Sequence, residues 1–130
     1  MLTVDKYSQT PIYEQIIDGI EKDVLIGALK EGDAVPSVRE LSVTLGINPN
    51  TIQKAYVELE RRGITIPLTG RGSFVREGAV EAIKKEARGK LDSLYECARE
   101  LHLAGVELDE LIKTVKRAYG SEEVSNDKRK

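Results

Sequence analysis

The residues of this sequence best suited to chemistry are amides, a hydroxyl and an ammonium, at Asn48, Asn50, Thr51, Gln53 and Lys54. Asparagine and glutamine carry a donor and an acceptor side by side, the pattern that pairs bidentately with adenine in the major groove of DNA. A threonine methyl can contact thymine, and a lysine ammonium suits guanine or a phosphate. The cluster therefore predicts recognition of base edges rather than a catalytic reaction.

The same stretch predicts how these side chains are held. Asn48 is a good helix N-cap, and Pro49 fits the first helical position because its missing N–H needs no partner there. Asn50 and Thr51 then fall in the first turn, where backbone N–H groups favour a phosphate. The connection at residues 46–48 is so short that it forces a steep angle between two helices, so the later helix can project into a major groove.

Three helices and a hairpin are expected around this connection. The first helix has Thr10 as its N-cap and ends at Gly27, and the second starts with a capping box at residues 37–40 and ends at Gly46. After the third helix, two extended runs flank the glycine turn at residues 70–72. The predicted fold class is mainly α with a small β-hairpin, in the order of a winged helix-turn-helix.

A second helical unit is expected after the hairpin. Apolar residues recur at intervals of seven, at Val80, Ala87, Leu94 and Leu101, and a last helix over residues 107–119 also has one apolar face. Two helices alone cannot bury both apolar faces, so we expect a homodimer through this unit, and a palindromic operator follows from its two-fold symmetry. The predicted domains are a DNA-binding domain at 1–77, a helical dimerisation unit at 78–120 and a disordered tail at 121–130.

Charge and composition are compatible with this interpretation. The 130-residue chain has a net charge of −2, but residues 36–76 contain six basic and three acidic side chains, a local charge of 6 − 3 = +3. No long apolar run or signal peptide is present, which predicts no membrane partner. A single cysteine excludes an internal disulfide and favours a reducing, cytoplasmic setting.

The sequence does not predict an enzyme, a metal site or a cofactor. The one histidine, His102, and the one cysteine, Cys97, are five positions apart and would not share a helix face. The glycines at residues 70–72 lack the spacing of a P-loop.

The motifs in their order resemble the DNA-binding domain of GntR-family bacterial transcription regulators over residues 11–75. The resemblance is carried by residues 13–16, 36–41, 45–52, 55–56, 59–60, 63–64 and 70–75. The turn residues Asn48, Pro49, Asn50 and Thr51 and the short C-terminal part resemble the YtrA-like branch, which has a two-helix dimerisation unit in place of a large effector domain. The resemblance implies a repressor that occludes a promoter, often of transporter genes.

Carried over by motif, the resemblance implies DNA contacts from residues of the second helix, the third helix and the wing: Arg39, Asn48, Pro49, Asn50, Thr51, Gln53, Thr69, Gly70 and Arg71. The side-chain chemistry adds Lys54, and the glycine turn adds Gly72, since backbone can enter a minor groove there. Pro67 departs from the family pattern in the first wing strand, which makes the approach of the wing less defined.

Two alternatives stay open at this point. The chain could be a protein–protein adaptor that uses a winged helix as a scaffold, in which case the third helix should expose apolar residues. A small C-terminal unit argues against a buried metabolite pocket, but an unidentified small-molecule effector could bind at the dimer interface or between domains.

Overall fold

The structure is a computed structural model that describes residues 2–120. Within these residues the elements are α1 (Ile12–Leu25), α2 (Val38–Leu45), α3 (Pro49–Arg61), β1 (Thr65–Leu68), β2 (Gly72–Val75), α4 (Ala79–Leu103) and α5 (Leu108–Ala118). The predicted fold class, mainly α with a small β-hairpin, is confirmed. The disordered tail predicted for residues 121–130 lies outside the described residues.

The chain divides into two compact units between Ala87 and Arg88, within α4. The division lies C-terminal to the boundary at residue 77 that the sequence predicts, because Ala79 and Ile83 at the start of α4 are buried with the first unit's core.

The core of the first unit is built from one face of each helix and the ends of the hairpin. Its fully buried side chains, at most 2% exposed, include Ile16, Ile17, Ile20, Ile52, Leu59, Ile64 and Val75. Burying one such aliphatic side chain contributes about 1.5–3 kcal/mol relative to leaving it in water. The resulting rigid core holds the outer faces of α2 and α3 in place.

The start of α1 differs from the prediction. Pro11 is the N-cap residue and makes no side-chain cap bond, so the assignment of Thr10 as N-cap is wrong. The residue before a proline is biased towards extended backbone, which moves the helix start beyond Pro11. The Thr10 carbonyl instead accepts a hydrogen bond from Gln15 Nε2 at 2.8 Å.

The predicted ends of α2 and α3 are confirmed. The Glu40 N–H donates to Ser37 Oγ, the Ser37 N–H donates to Glu40 Oε1, and both distances are 3.0 Å. Gly46 takes the left-handed conformation that ends α2, with φ 68°. Asn48 caps α3 and accepts the Asn50 N–H on Oδ1 at 2.8 Å.

The antiparallel β1–β2 hairpin, which we call the wing, pairs Thr65 with Val75 and Pro67 with Ser73. On the other side of β2, Ala34 forms an isolated bridge with Phe74. β1 is therefore the outer strand, where a proline removes no bond that the sheet needs. Gly72 is the first residue of β2, so the tip consists of residues 69–71 and the sequence-based placement of Gly72 in the turn is corrected.

The second unit contains the C-terminal part of α4 and all of α5. α4 continues through Gly89 without interruption. It ends before Gly105, whose φ is 94°, and the Val106 N–H bonds back to the Leu101 carbonyl at 2.9 Å. α5 begins one residue after its N-cap Glu107 and has no buried residue.

An ion-pair network lies at the C-terminal end of α3 in the first unit. Arg62 donates to Glu58 and to Glu21 of α1, both at 2.8 Å, and its side chain is 22% exposed. Arg61 donates to the same Glu58 carboxylate. Arg62 thus links α3 to α1.

We expect Glu58→Gln to make the free energy of unfolding less dependent on pH in the acid range. Hydrogen bonds from Arg61 and Arg62 lower the pKa of Glu58 from 4.5 to about 2. Because the folded-state pKa is depressed, the network stabilises the fold fully above pH 4.5 and loses this effect as the pH falls towards 2.

Denaturant-induced unfolding, measured at several pH values between 7 and 2.5, tests this effect. Glu58→Gln should have a lower free energy of unfolding than the native chain at pH 7, and the difference between the two should become smaller as the pH falls. Glu60→Gln is the control, since Glu60 makes no ion pair within residues 2–120. An equal pH dependence of native chain and Glu58→Gln would contradict this account.

Candidate nucleic-acid interface

The side of α3 opposite the core exposes polar side chains. Asn50, Gln53 and Lys54 are exposed and Thr51 is half-buried, while the buried face of the same helix consists of Ile52, Ala55, Tyr56 and Leu59. Positions 50, 53 and 54 follow the i, i+3, i+4 spacing that puts side chains on one face of a helix. We call Asn50, Thr51, Gln53 and Lys54 the polar surface of α3.

The first-turn backbone donors of α3 are already occupied. The Asn50 N–H is bonded to the Asn48 side chain, the Thr51 N–H donates to the Asn48 carbonyl at 3.0 Å, and Pro49 has no N–H. The expectation that these N–H groups would bind a phosphate therefore needs correction. The helix dipole remains favourable to an anion, but direct hydrogen bonds must come from side chains.

Lys54 is oriented by an aromatic neighbour on α1. Its Nζ lies 4.0 Å from the centroid of the Tyr13 ring, a cation–π contact that holds the ammonium near the polar surface. Sequence reasoning missed this role of Tyr13, which belongs to a different helix.

Tyr56 fixes α3 relative to the start of α2. Its ring is 4% exposed and its hydroxyl donates to the Pro36 carbonyl at 2.6 Å. Burial, with a smaller effect of Glu40, raises the pKa of Tyr56 to about 12. The hydroxyl is thus engaged inside the protein and does not contribute a phosphate contact.

The turn between α2 and α3 is closed by a side chain that sequence reasoning also missed. Ser42 Oγ donates to the Ile47 carbonyl at 2.6 Å, and the Ile47 N–H donates to the Ser42 carbonyl at 3.2 Å. A serine near a helix end is a weak signal because its partner is set by the turn geometry. Together with Tyr56, this bond fixes the angle between the two helices.

Arg39 lies in the first turn of α2 and is exposed. Among residues 2–120 it makes no ion pair, and the carboxylate of Glu40 is taken up by the capping box. Arg39 is therefore not taken up by a neighbouring carboxylate. Its guanidinium is available for a bidentate contact.

The wing tip presents exposed backbone and one cation. Thr69, Gly70 and Arg71 of the tip are exposed, as is Gly72 at the start of β2, and the Arg71 N–H donates to the Leu68 carbonyl at 2.8 Å to close the turn. Gly70 has φ 74°, a conformation that glycine adopts without strain. All the predicted site residues thus lie in the first unit, on α2, on α3 with its cap, and at the wing.

Comparison with known proteins gives consistent results. The family model for bacterial regulatory proteins, gntR family, matches residues 12–75. The HTH-type transcriptional repressor YtrA of Bacillus subtilis (strain 168) is 44% identical over 120 residues, which cover 89% of this chain and 90% of YtrA. The chain belongs to the GntR family. It is a transcription regulator and not an enzyme, and the predicted YtrA-like branch is supported.

Solved structures resemble this GntR-family chain over different extents. The crystal structure of a transcriptional antiterminator from Listeria monocytogenes EGD-e has a TM-score of 0.70 and 35% identity, and the match covers 100% of this chain and 97% of that chain. The DNA-binding domain of AraR in complex with operator ORR3 has a TM-score of 0.50 and 26% identity, covering 55% of this chain and 87% of that domain.

Within residues 2–120 no group of three or more His, Cys, Asp or Glu side chains could hold a metal ion, and no helix of that part is long and apolar enough to cross a membrane. On the outer face of α3 the large apolar side chain is Val57, 52% exposed. The broad apolar surface that an adaptor would need on this helix is not present.

Proposed function

We propose that this chain binds a palindromic operator in double-stranded DNA as a homodimer and represses transcription by occluding a promoter. The observation that carries the proposal is the polar surface of α3, exposed at the N-terminal end of a helix whose other face is buried in the core. A major groove accommodates one α-helix, and residues near its N-terminus reach base edges.

Each side chain of this surface has a defined role in the proposal. Asn50 and Gln53 pair with adenine through their amides, and the Thr51 methyl contacts thymine. Lys54, held over Tyr13, and Arg39, at the start of α2, neutralise phosphates or donate to guanine. Asn48 and Pro49 set the start of the helix and lie beside the DNA backbone.

The wing provides a second, weaker contact. In this proposal Arg71 enters a minor groove and Thr69 bonds a phosphate, while Gly70 and Gly72 let the backbone approach because they carry no side chain. The exposure of these four residues supports this part of the proposal.

Dimerisation is proposed through the second unit. α5 leaves Leu108, Ile112 and Val115 70%, 41% and 43% exposed, and Leu94 of α4 is 53% exposed. With their neighbours they line an open groove of about 450 Å³ between α4 and α5: Leu94, Cys97, Ala98, Leu101, Leu108, Leu111, Ile112, Val115 and Lys116. A contiguous apolar face of this kind marks a protein interface, and a second copy supplies a matching face.

Regulation in the cytoplasm follows from the same proposal. The relatives support repression, since YtrA of Bacillus subtilis is named a transcriptional repressor, and the AraR domain was crystallised with an operator. The proposal also includes an unidentified small-molecule effector. Transporter genes are the proposed targets by family resemblance alone.

A salt titration tests this function. A duplex enriched from a random pool should bind the native chain at least about 1,000-fold more tightly than an unrelated duplex at physiological salt. The logarithm of its binding constant should fall steeply and linearly with the logarithm of salt concentration. Equal affinity for both duplexes would contradict sequence-specific binding and favour the adaptor.

A further inference from the structure

Residues 2–10, which we call the N-terminal arm, are attached to α1 by side-chain packing. Leu2 packs on Gly19, where even a single added Cβ would overlap the leucine side chain. A glycine at this position of α1 therefore makes room for the arm. Leu2 and Val4 also pack against the hydrophobic core.

Gln15 holds the middle of the arm through three hydrogen bonds. Its Oε1 accepts the Asp5 N–H at 2.7 Å, while Nε2 donates to the carbonyls of Asp5 at 2.9 Å and Thr10 at 2.8 Å. Two local turns lie between these attachment points, since the Tyr7 N–H donates to Asp5 Oδ1 and the Thr10 N–H donates to Ser8 Oγ. The segment from residue 6 to residue 8 is thus held as an exposed loop.

This loop places Lys6 beside the turn that leads into α3. Lys6 Nζ lies 3.5 Å from the carbonyl oxygen of Gly46, two residues before the N-cap Asn48. That distance is long for a hydrogen bond, and Lys6 makes no ion pair within the described residues. Its neighbour Tyr7 is 98% exposed. The ammonium is therefore only weakly engaged by the protein.

We propose that Lys6 is a further DNA-positioning residue, which contacts an operator phosphate next to the N-terminal end of α3. This inference rests on the proposed function. A lysine ammonium is a compact point charge that suits a phosphate, and such a contact fixes the register of the protein on the duplex without reading a base. Because the N–H groups of the first turn of α3 are occupied, a nearby cation supplies the anion contact that they do not.

Lys6→Gln tests the proposal by its salt dependence. A homodimer loses two phosphate contacts, so the slope of log binding constant against log salt should become shallower by about two. The ratio of the native binding constant to that of the variant should therefore fall roughly tenfold as the salt concentration rises from 50 to 200 mM. The loss should be equal on the enriched duplex and on an unrelated one, because phosphates carry no sequence information.

Two further variants separate positioning from a general charge effect. Lys30→Gln removes one charge from the turn near the base of the wing, where Gly32 bonds Val75, and should leave the slope as in the native chain. Gln15→Ala releases the arm, so it should make the slope of log binding constant against log salt shallower, as Lys6→Gln does. The double variant with both substitutions should have the same slope as Lys6→Gln alone.

The outcomes distinguish this inference from the proposed function. Suppose that the native chain binds the enriched duplex more tightly than the unrelated one, but Lys6→Gln and Lys30→Gln have the same salt slope. Lys6 then only stabilises the end of α2, and the inference about Lys6 is overturned while the proposed function stands. A lower melting temperature of Lys6→Gln with an unchanged slope leads to the same conclusion. If the native chain does not discriminate, both proposals are overturned.

Discussion

Replacing Asn50 by alanine is expected to weaken operator binding by roughly 30-fold to 20,000-fold. One bidentate amide–adenine pair contributes about 1–3 kcal/mol of discrimination, and a homodimer makes the contact twice. The side chain of Asn50 is exposed, and only its backbone N–H is used within the protein. The variant should therefore melt at the temperature of the native chain while a titration with the enriched duplex shows the loss.

Asn48→Ala is the matched comparison. It removes the cap that accepts the Asn50 N–H, so it should lower the free energy of unfolding by about 1 kcal/mol in addition to weakening DNA binding. Arg39→Ala should weaken binding without a change in stability, since Arg39 makes no ion pair within residues 2–120. Unchanged affinity in both Asn50→Ala and Arg39→Ala would exclude the proposed base-reading surface.

Ile112→Lys is expected to convert the proposed homodimer into a monomer and to reduce operator affinity by roughly 100- to 10,000-fold. Ile112 is 41% exposed in the single chain and lines the apolar groove between α4 and α5. A lysine there would bury an unpaired charge at the dimer interface, which is strongly unfavourable. Each half-site would then be bound independently, and the gain from joining two DNA-binding units would be lost.

Thr114→Lys is the control, because it adds the same charge on the same helix outside the groove. Thr114 is exposed, and its hydroxyl donates only to the Glu110 carbonyl. Light scattering at micromolar concentration should give a dimer for the native chain and the control and a monomer for Ile112→Lys. A native chain that is monomeric, or an Ile112→Lys variant that remains dimeric, would exclude dimerisation through this face.

The features that the sequence predicted correctly depend on local interactions. The Ser37–Glu40 capping box and the Asn48 cap involve partners two or three positions apart, and Gly46 is required by its own backbone conformation. Propensities and short spacings determine such features, so they were visible before any tertiary contact was known. This is why the positions of α2 and α3, and hence the polar surface, were predictable.

The features that the sequence did not predict depend on distant partners. The hydroxyl of Tyr56 bonds Pro36, 20 positions away, and Arg62 pairs with Glu21, 41 positions away. Lys54 is oriented by Tyr13 on another helix. Side-chain type alone does not reveal these three contacts, because the internal partners come together only after the helices have packed.

Tertiary contacts therefore define which groups of the candidate interface can bind DNA and how they are held. They remove the Tyr56 hydroxyl and the first-turn N–H groups of α3 from the set of DNA donors. They also explain how the remaining side chains are held, since Tyr13 orients Lys54 and the Ser42 bond to Ile47 fixes the turn. Preorganised side chains lose less conformational entropy on binding.

The most direct test of the central claim is selection of bound duplexes from a random DNA pool by the native chain. The account predicts an enriched sequence with two-fold symmetry, and half-sites about 10 base pairs apart or at a multiple of that spacing. A pool that shows no enrichment after repeated selection, or an enriched sequence without two-fold symmetry, would contradict binding of a palindromic operator by a homodimer.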